Sequence, residues 1–321
     1  MSDQQIAIGV DLGGTAIKSG LVRRDGSVLA MRTDDTEAEK GPSHVLDRIA
    51  RIVKELLRDA SLELPGVAAM GLGLPGPIDR ARGTSVAMPN LRGWKNVAVV
   101  DELAKRTHLR VVIENDANNA ALGELVAGAG RGLSHMVLLT LGTGIGGGII
   151  LNGRLWRGAT GSAAEIGHTL VERDGRRCGC GQRGCLEAYA SAAATAARVK
   201  ELLAAGRTSI LANEPSATEA ITSRHIVDAV KEGDALAREV WAETCYYLAV
   251  ACINIQHVLE PQRIVFSGGM SAAGQWLLDG VNEAVARLRS GMIGPPPQIA
   301  LATLGNDAGF IGSALNAFDG P

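Results

Sequence analysis

The chain has 321 residues, too long for one ordinary domain and suited to two. Its 32 basic and 34 acidic side chains leave a formal charge of −2, which argues against a nucleic-acid binder held by phosphate contacts. Hydrophobic residues at 46% are ample for a large core, charged residues at 21% are too few for a disordered chain, and aromatics at 3% leave that core to Val, Ile, Leu and Ala.

Ile6 to Val10 is a short apolar strand that runs into Asp11-Leu12-Gly13-Gly14-Thr15. A second strand covers 17–22, and Asp25-Gly26 marks a hairpin before a third strand from Ser27. Ser43 is the expected N-cap of an amphipathic helix whose apolar stripe includes Val45, Ile49, Ile52, Val53, Leu56 and Leu57. A buried strand over 67–74 ends in Pro75-Gly76-Pro77; a helix over 101–107, a strand over 110–113 and a helix over 118–127 follow. The opening pattern then recurs as a strand over 136–141, the turn Gly142-Thr143-Gly144, a strand over 145–151 and the hairpin Asn152-Gly153. Long helices are expected over 186–203 and 234–258, the second stopped near Glu260-Pro261. A strand over 263–266 opens into Ser267-Gly268-Gly269, and after Pro295-Pro296-Pro297 come a strand over 298–303 and a closing helix over 306–318. This alternation predicts mostly parallel sheets with helices on their faces. The repeated strand, glycine turn, strand and hairpin predict two related α/β domains, each offering one phosphate-sized loop.

Glycine turns after strands let backbone N–H groups cradle an anion, because no Cβ stands in the way. Asp11-Leu12-Gly13-Gly14-Thr15 adds a carboxylate able to hold Mg²⁺ through water and a hydroxyl able to donate to phosphate. With the turns at Gly142 to Gly148 and at Gly268-Gly269, the pattern describes a clamp around ATP. Neither P-loop nor Rossmann spacing fits, since these turns lead to strands rather than helices. His168 with Cys178, Cys180 and Cys185 makes a Cys₃His set, enough for tetrahedral Zn²⁺ with no open position and therefore a structural site. Gly179, Gly181 and Gly184 give that knuckle its tight bends. Cys245 and Cys252 stand in an apolar helical stretch and read as small buried hydrophobes. Asn115 and Asp116 sit at the end of a strand, where α/β folds bind ligands; Asp116 alone also fits a plain helix N-cap. Glu165 and Glu187 bracket the cysteine loop and, with Asn115, supply the hydrogen-bonding groups a polyol needs. No stretch reaches the roughly 20 apolar residues of a membrane span, and the first residues lack the segments of a secretory signal, so a soluble cytoplasmic protein is expected.

The set Asp11-Leu12-Gly13-Gly14-Thr15, Leu74-Pro75-Gly76-Pro77, Asn115-Asp116-Ala117-Asn118, Gly142-Thr143-Gly144-Ile145-Gly146-Gly147-Gly148, Glu165-Ile166-Gly167-His168 and Cys178-Gly179-Cys180-Gly181-Gln182-Arg183-Gly184-Cys185-Leu186-Glu187 resembles the ROK family (repressors, open reading frames, kinases). The motifs cover nearly the whole chain in family order. Within the family the chain looks most like the bacterial glucokinases, helped by Pro89-Asn90-Leu91-Arg92-Gly93-Trp94 and Asn306-Asp307-Ala308-Gly309. The resemblance implies a two-domain actin-like ATPase (ribonuclease H-like) fold with ATP and a hexose in the interdomain cleft. The expected domains are 1–117 plus 305–321, and 118–304 with the zinc-binding loop.

By the same resemblance Asp116 matches the catalytic base for the sugar's 6-hydroxyl, and Gly76, Asn115, Glu165, His168 and Glu187 match the sugar contacts. Asp11, Gly13, Gly14, Thr15, Gly142, Thr143 and Gly144 match the phosphate and Mg²⁺ side, and Gly268 and Gly269 the nucleoside side. Ala16 departs from the basic residue many relatives carry. The expected reaction is transfer of a phosphoryl group from ATP to glucose, giving glucose 6-phosphate, by a homodimer or homotetramer. Kinases for fructose, N-acetylmannosamine or N-acetylglucosamine share most of these motifs, and polyphosphate is an alternative donor. The family's repressors carry an N-terminal helix-turn-helix segment, for which the five residues before Ile6 leave no room.

Overall fold

The computed structural model describes residues 5–88, 91–213, 221–289 and 294–318. The chain divides into two compact units, Met1–Ser134 with Gly148–Ala163 and Thr303–Pro321 as unit 1, and His135–Gly147 with Ala164–Ala302 as unit 2.

Unit 1 begins with β1 (Ile6–Leu12), β2 (Ala16–Arg23) and β3 (Val28–Asp35), followed by α1 (Pro42–Asp59) and β4 (Val67–Leu74). Three short strands come next, β5 (Ile78–Asp79), β6 (Thr84–Ala87) and β7 (Lys95–Val97), which form a small sheet of their own. Then come α2 (Val99–Thr107), β8 (Val111–Asn115) and α3 (Asp116–Ala127). The main sheet has the order β3-β2-β1-β4-β8, antiparallel through the hairpins and parallel from β1 to β4 to β8. Val10 and Leu12 of β1 pack with Val45, Ile49 and Leu56 of α1 and Leu103 of α2. Ala7, Ala69 and Val112 instead meet Phe310 and Ala314 of the closing helix α9 (Ala308–Phe318).

The second five-stranded sheet contains β9 (Met136–Leu141), β10 (Ile145–Leu151), β11 (Arg154–Leu155), β12 (Arg263–Ser267) and β13 (Ile299–Leu301) in the order β11-β10-β9-β12-β13. This repeats the strand order of the first, with β9, β12 and β13 parallel. The helices of unit 2 are α4 (Glu187–Ala190), α5 (Ala192–Ala204), α6 (Ser223–Lys231), α7 (Ala235–Leu259) and α8 (Gln275–Leu288). Helix α7 is their hub; it buries Val240, Leu248, Cys245 and Cys252 and contacts each of the other four. Among the described residues no helix is long and apolar enough to cross a membrane.

Several local details differ from the sequence expectation. Helix α1 starts at Pro42 with Gly41 as N-cap, so Ser43 lies in the first turn and makes no capping bond; proline's fixed φ is already helical and sets the start two residues earlier. The helix expected over 186–203 is broken at Ser191, which is extended (φ −72, ψ 158) and accepts the Ala194 N–H to cap α5. Unit 1 runs on to Ser134, beyond the expected boundary at 117/118, and takes in residues 148–163. Helix α3 packs along α9 and buries Ala117, Ala121 and Leu125, which ties it to unit 1.

Candidate active site and metal cluster

In unit 1, strand β1 delivers Asp11 to the edge of the first glycine turn. Gly13 N–H donates to the Ala16 carbonyl (2.9 Å), and the buried Thr36 hydroxyl donates to the Gly13 carbonyl (2.7 Å). Gly14 is half-buried and Thr15 exposed at the tip. Bare backbone surrounds the Asp11 carboxylate: a Cβ on Gly309 would collide with it and one on Gly73 would crowd it. Burial, reinforced by the nearby Asp116 charge and partly offset by Lys18, pushes the Asp11 carboxyl up to about 7.

Asp116 is the first residue of α3 rather than its cap. Asn115 is the N-cap, its side-chain oxygen accepting the N–H groups of Ala117 (2.9 Å) and Asn118 (3.2 Å). That leaves the half-buried Asp116 carboxylate beside Asp11, with one oxygen also accepting the Ala117 N–H (2.8 Å). Two acids that influence one another electrostatically thus lie at the ends of β1 and β8. Gly76, at φ +84, turns the chain between β4 and β5 and is half-buried.

Sequence reasoning missed Glu114, which underlies this turn. Its carboxylate is 1% exposed and accepts from Asn115 N–H (3.0 Å), Asn118 Nδ2 (3.1 Å) and Arg157 Nε (2.6 Å), with Arg80 Nε at 3.3 Å. Arg157 also donates to Asn316 Oδ1 of α9 (2.9 Å). Only the Glu114-Asn115-Asp116 order hints at this; the arginines come from 34 residues upstream and 43 downstream.

In unit 2, β9 delivers the second glycine turn. Gly142 N–H donates to the Gly144 carbonyl (3.0 Å), and Gly146 N–H to Thr140 Oγ1 (3.1 Å). Thr143 is exposed at the tip. Glu187, at the start of α4, accepts the Ile145 N–H (2.9 Å) with one oxygen, while the other lies 3.6 Å from Cys178 Sγ.

The ligand atoms of His168, Cys178, Cys180 and Cys185 all lie within 4.8 Å of one another. Cys180 and Cys185 sulfurs are 3.7 Å apart, and Cys178 Sγ is 3.6 Å from His168 Nδ1. Zn–S bonds of about 2.3 Å make tetrahedral edges of about 3.8 Å, so this donor set fits a zinc ion. Gly181 (φ +94) and Gly184 (φ +81) supply the bends. Burial pushes the Cys178 thiol up to about 12 and raises that of Cys185, while the Gln182 N–H lowers that of Cys180; a cation held among the three sulfurs would offset the burial. With Nδ1 toward the thiols, His168 Nε2 faces outward, 4.0 Å from the exposed Glu165 carboxylate.

Gly268 (φ +85) ends β12 and opens a short helical turn from Gly269. Beside it lies a cavity of about 310 Å³ lined by Gly269, Met270 and Ala273 together with Arg224, Asp228 and Lys231 of α6. Sequence reasoning found the two glycines but not α6, whose signals were the Thr222/His225 capping box and the Ile226, Val227, Val230 spacing. Of the Pro89-Asn90-Leu91-Arg92-Gly93-Trp94 motif, Pro89 and Asn90 lie outside the described residues, and Leu91 and Trp94 are core.

A chain so built is similar to proteins already known. A glucokinase of Thermotoga maritima is 41% identical over 307 residues, covering 96% of this chain and 95% of the relative. The crystal structure of a ROK hexokinase from Thermus thermophilus superposes with a TM-score of 0.84 at 32% identity, covering 98% of each chain. That of a ROK family glucokinase from Streptomyces griseus, in complex with glucose and AMPPNP, superposes at 0.82 and 34% identity, over 98% of this chain and 100% of the other. The fold is thus that of the actin-like ROK sugar kinases. The ROK family model matches residues 7–319, and the chain belongs to the ROK family.

Proposed function

We propose that the protein is an ATP-dependent hexokinase that phosphorylates the 6-hydroxyl of glucose, with Asp116 as general base. The observation that carries this reading is the likeness along nearly the whole chain to a glucokinase solved with glucose and AMPPNP, an ATP analogue. Supporting it, the Asp116 charge acts on Asp11 in unit 1, and His168 and Glu165 approach one another in unit 2.

Phosphoryl transfer passes through a loose transition state, so catalysis rests on positioning and on neutralising charge. Gly76, Asn115, Glu165, His168 and Glu187 orient the hexose. Asp116 accepts the 6-hydroxyl proton as its oxygen attacks the γ-phosphorus, worth roughly 10²–10⁴-fold. The turns formed by Gly13, Gly14 and Thr15 and by Gly142, Thr143 and Gly144 receive the phosphates, with the Gly13 and Gly142 N–H groups closing the turns themselves, and the cavity beside Gly268 and Gly269 receives the nucleoside. Asp11 would be the protein partner of a Mg²⁺ bound with ATP, which would spread the phosphate charge. His168, Cys178, Cys180 and Cys185 would hold Zn²⁺, which with four protein ligands would supply no water activation and would fix the loop that carries Glu165 and Glu187.

The test is a sugar panel with Mg²⁺ and either ATP or polyphosphate, reporting kcat/KM by coupled ADP release or direct product analysis. Glucose with ATP gives the highest value. Faster turnover of fructose, N-acetylmannosamine or N-acetylglucosamine reassigns the substrate, and preference for polyphosphate reassigns the donor. Absence of turnover with every sugar returns the chain to a regulatory relative that does not bind DNA. The active form is a homodimer or homotetramer in the cytoplasm, which sedimentation and localisation measurements check.

A further inference from the structure

We infer that Glu187 is a positioning residue for the Gly142-Thr143-Gly144 turn, setting the backbone that receives nucleotide phosphates independently of any sugar. This rests on the reading of that turn as a phosphate cradle.

Glu187 Oε2 accepts the Ile145 N–H at 2.9 Å, the first backbone amide after the turn. The carboxylate lies flat against the turn, since a Cβ added to Gly144 would run into it. A second strut comes from the next helix, where Ala192 N–H donates to the Gly142 carbonyl at 2.9 Å. Both struts leave one short segment, 187–192, that follows directly on Cys185. That segment is itself anchored by Leu186 N–H on the Thr169 carbonyl (3.0 Å), and Glu187 Oε1 lies 3.6 Å from Cys178 Sγ. The metal cluster and the glycine turn thus share one side chain.

Glycine backbone is the most mobile available, so an unpinned turn loses the most entropy when it closes on phosphate. A side-chain acceptor on its amide removes part of that loss before the nucleotide arrives. The acceptor, rather than the negative charge, is what the geometry requires.

Glu187→Gln keeps an acceptor oxygen at the same reach, and Glu187→Asp keeps the charge but withdraws it by one methylene. Both are conservative enough to retain the fold, and elemental analysis checks that each retains the metal content of the parent. Two measurements follow without sugar: the AMPPNP dissociation constant by calorimetry, and amide hydrogen exchange over residues 142–146 in ligand-free protein. The expected result is about ten-fold weaker AMPPNP binding and faster exchange in Glu187→Asp, with Glu187→Gln within two-fold of the parent in both. An unchanged Glu187→Asp, or a Glu187→Gln that loses as much as Glu187→Asp, overturns the inference. Failure of the parent to bind AMPPNP would count against the ATP reading instead, and the exchange measurement would still decide whether Glu187 holds the turn.

Discussion

In unit 1 the glycine turn is held by a hydroxyl, Thr36 Oγ1 donating to the Gly13 carbonyl, whereas in unit 2 it is held by a carboxylate, Glu187 accepting the Ile145 N–H. The sheets behind the two turns share one strand order, so the contrast lies in the side chains set on a repeated frame. A neutral donor in unit 1 leaves the local acid, Asp11, out of the turn's own backbone bonding. Asp11 is accordingly pushed up to about 7 by burial and by its neighbour, the mark of a charge kept for something else. In unit 2 the acid is already occupied in holding the chain. Chemistry is therefore expected to depend on the acids of unit 1, and binding geometry on those of unit 2.

The largest expected effect breaks the chemical side of the contrast. Asp116→Asn should lower kcat roughly 10²-fold or more while glucose affinity stays within a few-fold, because the amide keeps the size but cannot take the hydroxyl proton. Steady-state kinetics beside calorimetric glucose binding measure both; a kcat near that of the parent removes Asp116 from the base role. On the other side, Cys180→Ser should lose the metal and weaken glucose binding about ten-fold or more, since the ligand loop carries Glu165 and Glu187. Elemental analysis and binding titrations test this, and unchanged glucose affinity in metal-free protein would end the claim that the cluster organises the sugar residues. Arg157→Ala should destabilise unit 1 by about 3 kcal/mol, because the buried Glu114 carboxylate keeps only Arg80 as counter-charge. Denaturant melts read that loss, and a change under 1 kcal/mol would mean Arg80 alone suffices.

How much of this was legible in the sequence depends on how local each signal is. The glycine turns, the Cys₃His spacing and the strand ends at Asp11 and Asn115 are contiguous motifs, and the structure places each on the expected kind of element. The cap of α3 is not legible in the sequence, because Asn115 and Asp116 are both good cap residues and only the backbone angle at Asn115 decides between them. The break at Ser191 is hidden in an Ala-rich helical run, where Ser is an acceptable interior residue until its side chain is seen capping α5. Glu114 with Arg80 and Arg157, and Gly309 against Asp11, could not be read at all: each joins segments far apart in the chain, and no local periodicity records a contact of that kind.

The smallest expected effect sharpens the contrast through pH. A carboxyl at about 7 in the folded protein, against an ordinary value of 3.8, holds its proton more tightly folded than unfolded. Between those values the unfolded chain has released the proton while the folded chain keeps it, so each rise in pH favours unfolding. The penalty is absent below about pH 4 and complete above about pH 7. Asp11→Asn carries no such charge. Its melting temperature should match the parent near pH 4, pull ahead between pH 5 and 7, and hold a lead of about 2–4 °C above that. Thermal melts from pH 4 to 8.5 in magnesium-free buffer without chelator measure the difference, with Glu187→Gln run alongside. Glu187→Gln keeps the acceptor on the Ile145 N–H, so this substitution should bring no gain at any pH. A lead for Asp11→Asn that does not vary with pH would trace the effect to packing; a parent more stable than Asp11→Asn at pH 8 would mean that Lys18 outweighs burial and Asp116. Either result would remove the stored charge that sets the first turn apart from the second.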